Sequence, residues 1–199
     1  MKNRKSVTAI ILAGGKGTRM KEEKPFLQVS GVRLIEKVVR LLEDHFQEII
    51  ISAHSKGVFD FLPYRVVIDK ELNQGPLMGI LCGLEASESP VNFVIACDIP
   101  EIDCSFLEQM TAYTGEYEIV VPVTGENKFE PLFAFYNKSL IPRIKTLLKR
   151  QERQVLKLFP MARIKYVPME RNGWFYNLNT DDDYRDYLER ASSKQSKSL

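Results

Sequence analysis

Val7-Thr8-Ala9-Ile10-Ile11-Leu12-Ala13-Gly14-Gly15-Lys16-Gly17-Thr18-Arg19-Met20 is the stretch that decides the fold. Its first six residues form an apolar run with β-branched side chains, the pattern of a strand covered on both faces. The run then breaks into a turn holding Gly14, Gly15 and Gly17, with Lys16 and Arg19 among them. Glycines at a strand end let the backbone approach an anion and turn its N–H groups inward, while the cations add charge. Residues 1–24 carry seven bases against two acids, in a chain of 199 residues whose net charge is only +2. A polyphosphate is the partner that suits such a segment. It is neither of the two common phosphate loops. Gly17 stands where a Walker loop needs Ser or Thr, and Met20 stands at the third glycine of a Rossmann fingerprint.

Beyond the turn the periodicity alternates. Leu34, Ile35, Val38, Leu41, Leu42 and Phe46 recur at three- and four-residue steps and predict an amphipathic helix. Residues 48–53 and 66–68 read as strands, the second ending at Asp69. Residues 76–86 read as a buried helix whose Gly79 and Gly83 allow close approach to a sheet. Residues 93–96 make a fourth strand, ending at Asp98. In the second half, 106–113, 140–148 and 155–159 read as helices, with Pro142 in a first turn. Residues 119–123, 132–136, 164–167 and 174–178 read as strands. Thr180 caps a closing helix opened by Asp181, Asp182 and Asp183. Residues 1–191 form one domain, and the Ser/Lys-rich 192–199 is expected to be a disordered tail. The succession implies right-handed βαβ units, hence an α/β fold of three α/β/α layers around a mainly parallel, Rossmann-like sheet. Ligands of such sheets sit beyond the carboxyl ends of the strands. The glycine turn, Asp69 and Asp98 all converge there.

Composition narrows the function classes. A hydrophobic fraction of 44% with 27% charged residues is that of an ordinary globular chain, and the near-neutral balance gives no case for a nucleic-acid partner. Cys82, Cys97 and Cys104 are an odd set without CxxC spacing, which argues against a disulfide framework or a zinc site. His45 and His54 are the only histidines, with no HExxH and no GxSxG, so zinc proteases and serine hydrolases are excluded as readings. Neither histidine sits in a catalytic motif; His45 is expected to cap a helix or lie on a solvated face. The basic start and short apolar run lack an A-x-A-like cleavage site, and no segment reaches the roughly 18 apolar residues of a membrane span. A cytoplasmic protein with no membrane partner is expected. Asp98 can hold Mg²⁺ against phosphate oxygens. Asp69 can accept two N–H donors from a guanine edge, or cap a turn. Arg143, Lys145, Lys149, Arg150 and Arg153 suit a solvated helix face or an anionic acceptor.

The segment LAGGKGTRM-KEE-KPFL, residues 12–27, resembles the signature of nucleotidyltransferases that make nucleoside diphosphate-linked products. Together with GPLMGI (75–80), CDIP (97–100), EPLFAFYN (130–137) and NLNTDDDY (177–184), it makes the chain similar to the molybdenum cofactor guanylyltransferase family (MobA) over about residues 8 to 187. That resemblance implies a nucleotidyltransferase fold and transfer of GMP from GTP to the phosphate of molybdenum-molybdopterin, with release of pyrophosphate. It implies GTP-binding positions at Leu12, Ala13, Gly14, Gly15, Lys24, Ser52, Asp69, Gly75 and Asp98, with Asp98 also the Mg²⁺ ligand. Arg19, Lys24 and Asp98 then form the catalytic set, and GTP, molybdopterin and cofactor-handling proteins are the partners. The chain departs from the family at Lys21, where relatives carry Gly, at Glu23, where they carry Asp, and at Ser52, where they can carry Asn. An adenosylcobinamide-phosphate guanylyltransferase, a CTP-using transferase and a non-catalytic GTP-binding protein remain open alternatives.

Overall fold

A computed structural model describes residues 5–14, 23–126, 128–170 and 174–195. Its elements in chain order are β1 (Lys5–Leu12), β2 (Gln28–Val29), β3 (Val32–Arg33), α1 (Leu34–Leu42), β4 (Phe46–Ala53), β5 (Arg65–Ile68), α2 (Pro76–Ala86) and β6 (Val91–Ala96). There follow α3 (Cys104–Thr111), β7 (Ile119–Gly125), β8 (Lys128–Phe129), β9 (Phe133–Asn137), α4 (Ile141–Lys149), β10 (Ile164–Pro168) and α5 (Asp181–Gln195).

The main sheet runs β10-β7-β9-β6-β1-β4-β5, with β8 paired to β7. β1 lies at the heart of a parallel block, flanked by β6 on one side and by β4, then β5, on the other. β9 alone along this path runs against its neighbours, inserted antiparallel between β6 and β7. Alternation along β1 builds the layers. Val7, Ala9 and Ile11 enter a core shared with α1 and α3, through Ile35, Val38, Leu42, Phe106 and Met110. Ile10 points the other way, into a core with α2 and α4, through Leu77, Leu84, Ile144 and Leu147. The three-layer, mainly parallel α/β arrangement read from the sequence is therefore the one observed. Gly83 shows how tightly α2 is pressed on the sheet: a Cβ there would stand 2.5 Å from Ile10 Cγ2.

Several local expectations are corrected. Phe46 does not extend the first helix. The chain reverses at residues 43–45, where His45 N–H donates to Leu42 O, and Phe46 then pairs with Lys5 as the first residue of β4. Residues 174–178 are not a strand. Their aromatic side chains serve packing instead: Trp174 lies tilted against Phe106 and Phe133, and Phe175 meets Phe133 edge-on. Residues 155–159 are helical as expected, within a 3₁₀ segment, Val155–Met161, that takes in Pro160. Thr180 does cap α5: its hydroxyl accepts the Asp183 N–H while the Asp183 carboxylate accepts the Thr180 N–H, a reciprocal capping box. α5 runs to Gln195, so residues 192–195 are helical and 196–199 lie outside the described residues. Among the described residues, no helix is long and apolar enough to cross a membrane.

Candidate active site

β1, β4, β5 and β6 are parallel, so their carboxyl ends open on one edge of the sheet. Asp98 follows β6 on one side of β1, and Asp69 follows β5 on the other. Three strand spacings, about 14 Å, separate the two strands that carry them. The aspartates therefore share an edge but occupy its two ends.

At the Asp69 end lies a cavity of about 420 Å³. Leu12, Pro76, Gly79 and Leu132 make its apolar walls, and Ser52, His54, Asp69 and Asn73 supply polar groups. The β4–β5 register pairs Ser52 with Val67 and Ala53 with Ile68, which carries His54 to the side of Asp69. Ser52 Oγ donates to Asp69 Oδ1 at 2.9 Å, and His54 Nδ1 stands 3.0 Å from Asp69 Oδ2. The Asp69 backbone N–H is taken by Ala53 O. Burial holds the Asp69 carboxyl above the usual carboxylate range, partly offset by the Ser52 hydroxyl and by His54. Gly75 opens α2 beside this cavity at φ +68, a left-handed conformation that favours glycine, with the Arg153 carbonyl packed against it. Gly79 and Gly14 are needed for close approach. A Cβ on Gly79 would lie 2.9 Å from Ser52 Oγ, and one on Gly14 would lie 3.0 Å from the His54 ring.

At the Asp98 end the chemistry is ionic. Lys24 Nζ donates to Asp98 Oδ2 at 2.6 Å and to Asn179 Oδ1 at 2.8 Å. Both members of the ion pair retain 16% side-chain exposure, so the charges are shielded but reachable. Lys24 itself opens a short 3₁₀ turn, Lys24–Phe26, with Pro25 as its second residue. The segment before α5 is tied to the same place by the Leu178 N–H, which donates to Asp98 O at 3.0 Å. The neighbouring Cys97 contributes no thiolate, because burial, and then the Asp98 charge, push its thiol far up.

Of the residues expected at the site, Leu12, Gly14, Ser52, Asp69 and Gly75 gather at the cavity, and Lys24 and Asp98 at the ionic end. Leu12 and Gly14 line the cavity. Ala13 is buried, and its N–H donates to Ser52 O, so that donor is engaged within the sheet. Ser52 is 2% exposed, and its hydroxyl braces Asp69 rather than standing open to a ligand. Asp69 likewise has Oδ1 bonded to Ser52 and Oδ2 turned to the His54 ring. Gly15 and Arg19 lie outside the described residues, as do Lys16, Gly17, Thr18 and Lys21. Of the basic residues on and after α4, Arg143 pairs with Glu118 and Lys145 with Glu85, the structural use of such a face. Two contributors escaped sequence reasoning. His54 stands in no catalytic motif, and its place beside Asp69 follows from the pairing of β4 with β5. Asn179 was visible only within the NLNTDDDY resemblance. His45, expected as a cap or solvated residue, places Nε2 3.2 Å from Cys104 Sγ.

Magnesium is the cation to test against these residues. Among the described residues, no group of three or more His, Cys, Asp or Glu could cage a metal. One partly exposed carboxylate beside a lysine does fit a cation that takes most of its ligands from water and substrate phosphate, as Mg²⁺ does.

A parallel sheet with an apolar-walled cavity and a Lys–Asp pair along one carboxyl edge defines an α/β protein of the nucleotidyltransferase kind. A model of the "MobA-like NTP transferase domain" matches residues 9–165, and the chain belongs to that family. Among its relatives, a Bacillus cytotoxicus protein named "Probable molybdenum cofactor guanylyltransferase" is 31% identical, covering 92% of this chain and 97% of its own. A Peptoclostridium acidaminophilum protein of the same name is 35% identical, covering 90% and 87%. Among solved structures, molybdopterin-guanine dinucleotide biosynthesis protein A from Archaeoglobus fulgidus superposes with a TM-score of 0.79 at 24% identity, over 96% of this chain and 99% of that one. The 4-diphosphocytidyl-2C-methyl-D-erythritol synthase of Anaerococcus prevotii shares the fold at a TM-score of 0.73 and 15% identity, over 94% and 96%.

Proposed function

We propose that this protein is a molybdenum cofactor guanylyltransferase, transferring GMP from GTP to the terminal phosphate of molybdopterin and releasing pyrophosphate. The observation that carries this reading is the division of one sheet edge. A cavity able to take a base lies at the Asp69 end, and a Lys24–Asp98–Asn179 cluster able to meet phosphates lies at the other. An acceptor phosphate oxygen attacks the α-phosphorus of GTP. The bond from that phosphorus to the bridging oxygen breaks, and its electron pair leaves with pyrophosphate. The acceptor is already anionic at neutral pH, so no strong general base is required. That suits an edge whose one histidine is turned toward Asp69.

The residues act by alignment and charge. Lys24 moves from Asp98 to the triphosphate and offsets charge on the leaving pyrophosphate, while Asn179 holds the ammonium in reach. Arg19 is expected to join it. Asp98, released from Lys24, would hold Mg²⁺, which when bound supplies Lewis-acid polarisation of phosphate oxygens.

Thermal unfolding with GTP, CTP, ATP and UTP, each with Mg²⁺, tests the nucleotide. GTP at about 100 times its Kd should stabilise by roughly 2.7 kcal/mol, and a preference for CTP contradicts the guanylyl reading. Pyrophosphate released only when molybdopterin and GTP are both present supports the reaction. Binding of GTP without release reduces the protein to a nucleotide sensor.

A further inference from the structure

The polar groups at the Asp69 end differ in what they still offer a ligand. Ser52 is buried and its hydroxyl is directed at Asp69. The Asp69 side chain is only 4% exposed, with one oxygen on Ser52 and the other facing His54. A carboxylate that reads guanine directly must present both oxygens, side by side, to two N–H groups of the base. Here those oxygens are turned to the chain's own side chains. His54 is the contrast. Its Nδ1 is buried against Asp69 Oδ2, yet the side chain as a whole is 32% exposed. The exposed third therefore belongs to the rest of the side chain, which lines the cavity. Nδ1 lies 3.0 Å from Asp69 Oδ2 without making a hydrogen bond of its own, so in the neutral ring a proton on Nδ1 faces the carboxylate and Nε2 carries the lone pair. Gly14 restricts the ring further, since its backbone comes so close that a Cβ would stand 3.0 Å from both Cε1 and Nδ1.

Resting on the reading of this cavity as the base end of a GTP site, we propose that His54 is a base-contacting specificity residue. Its Nε2 accepts an N–H from the pairing edge of guanine, and Asp69 acts through it as a positioning residue. An acceptor at that place favours a base whose pairing edge carries a ring N–H donor. Adenine and cytosine present a ring acceptor instead, so the Nε2 lone pair would be left facing another. The inference replaces direct readout by Asp69 with readout relayed through the histidine that the β4–β5 pairing brings to it.

Calorimetric titration of the full chain with GTP, ATP and magnesium tripolyphosphate tests this, using wild type, His54→Phe, His54→Gln and His54→Asn. The Gln amide reaches where Nε2 stands, and the Asn amide reaches only where Nδ1 stands. His54→Phe should weaken GTP about tenfold or more and leave tripolyphosphate within about twofold. His54→Gln should recover most of the loss, and His54→Asn should not. The inference is overturned if His54→Phe binds GTP like wild type, or if Asn rescues where Gln fails, which would make the ring a mere brace for Asp69. Should the Phe variant not fold, the Gln–Asn contrast decides by itself. A wild type that binds GTP no more tightly than tripolyphosphate overturns the base-pocket reading and this inference together. A GTP-selective wild type with indifferent variants overturns only the role of His54.

Discussion

Asp69 and Asp98 are the same signal in the sequence, an aspartate just past the carboxyl end of an apolar parallel strand, yet the fold surrounds them oppositely. Asp69 is buried beside Ser52 and His54, against a cavity with apolar walls, and its carboxyl is held above the usual range. Asp98 is partly open, paired at 2.6 Å with Lys24, and tied to the segment that precedes α5. One environment penalises charge and rewards shaped hydrogen bonding; the other concentrates charge where water and an anion can reach it. The strand end supplies the position, and the neighbours across the sheet supply the chemistry.

If that contrast is right, substitutions at the two ends should fail in different ways. The largest effect is expected at the ionic end. Asp98→Asn keeps the shape and should lower kcat by about 10²–10³-fold with the unfolding temperature little changed, measured by pyrophosphate release over a range of Mg²⁺ concentrations. Asp69→Asn should act mainly on KM for GTP, by about tenfold, with a smaller change in kcat, the mark of lost ground-state binding. Equal kcat losses at both positions would erase the distinction. Gly79→Ala brings a Cβ to within 2.9 Å of Ser52 Oγ. It should destabilise the fold by about 1–3 kcal/mol and weaken GTP through the disturbed Ser52–Asp69 bond, as read by chemical denaturation and titration.

The smallest effect is in the pH dependence of stability. A carboxyl raised in the folded state binds its proton more tightly there than in the unfolded chain. Asp69 therefore makes stability fall as pH rises from the unfolded carboxylate value, about 3.9, through its raised folded value. Glu118 has the opposite sign. Desolvation raises it, but the Arg163 N–H, Arg143 and Ser139 outweigh that and leave it lowered, so its contribution is lost as pH falls through its folded value. Asp69→Asn should consequently gain in unfolding temperature relative to wild type more at pH 7 than at pH 4.

Much of this contrast can be seen in the residues, and the missing parts have physical causes. The β1 run, the bounds of α2, and the two strand-end aspartates are local patterns, fixed by burial on both faces and by Pro76 at a helix start. The relation of His54 to Asp69 is not local. It arises from the register of two strands joined across residues 54–64, which periodicity does not encode. Asn179 reaches Lys24 from irregular chain anchored by buried Leu178, so no helix or strand rule points to it. The aromatic run in residues 174–178 misleads because residues of high strand propensity are used here for packing against Phe106 and Phe133.

The most direct measurement is to titrate wild type, Asp69→Asn and Asp98→Asn separately with guanosine and with magnesium tripolyphosphate, the two halves of the proposed nucleotide. Asp69→Asn should lose guanosine and keep the polyphosphate, and Asp98→Asn should do the reverse. A single substitution that abolishes both halves to the same degree, in a protein still folded, would contradict a site divided between its two aspartates.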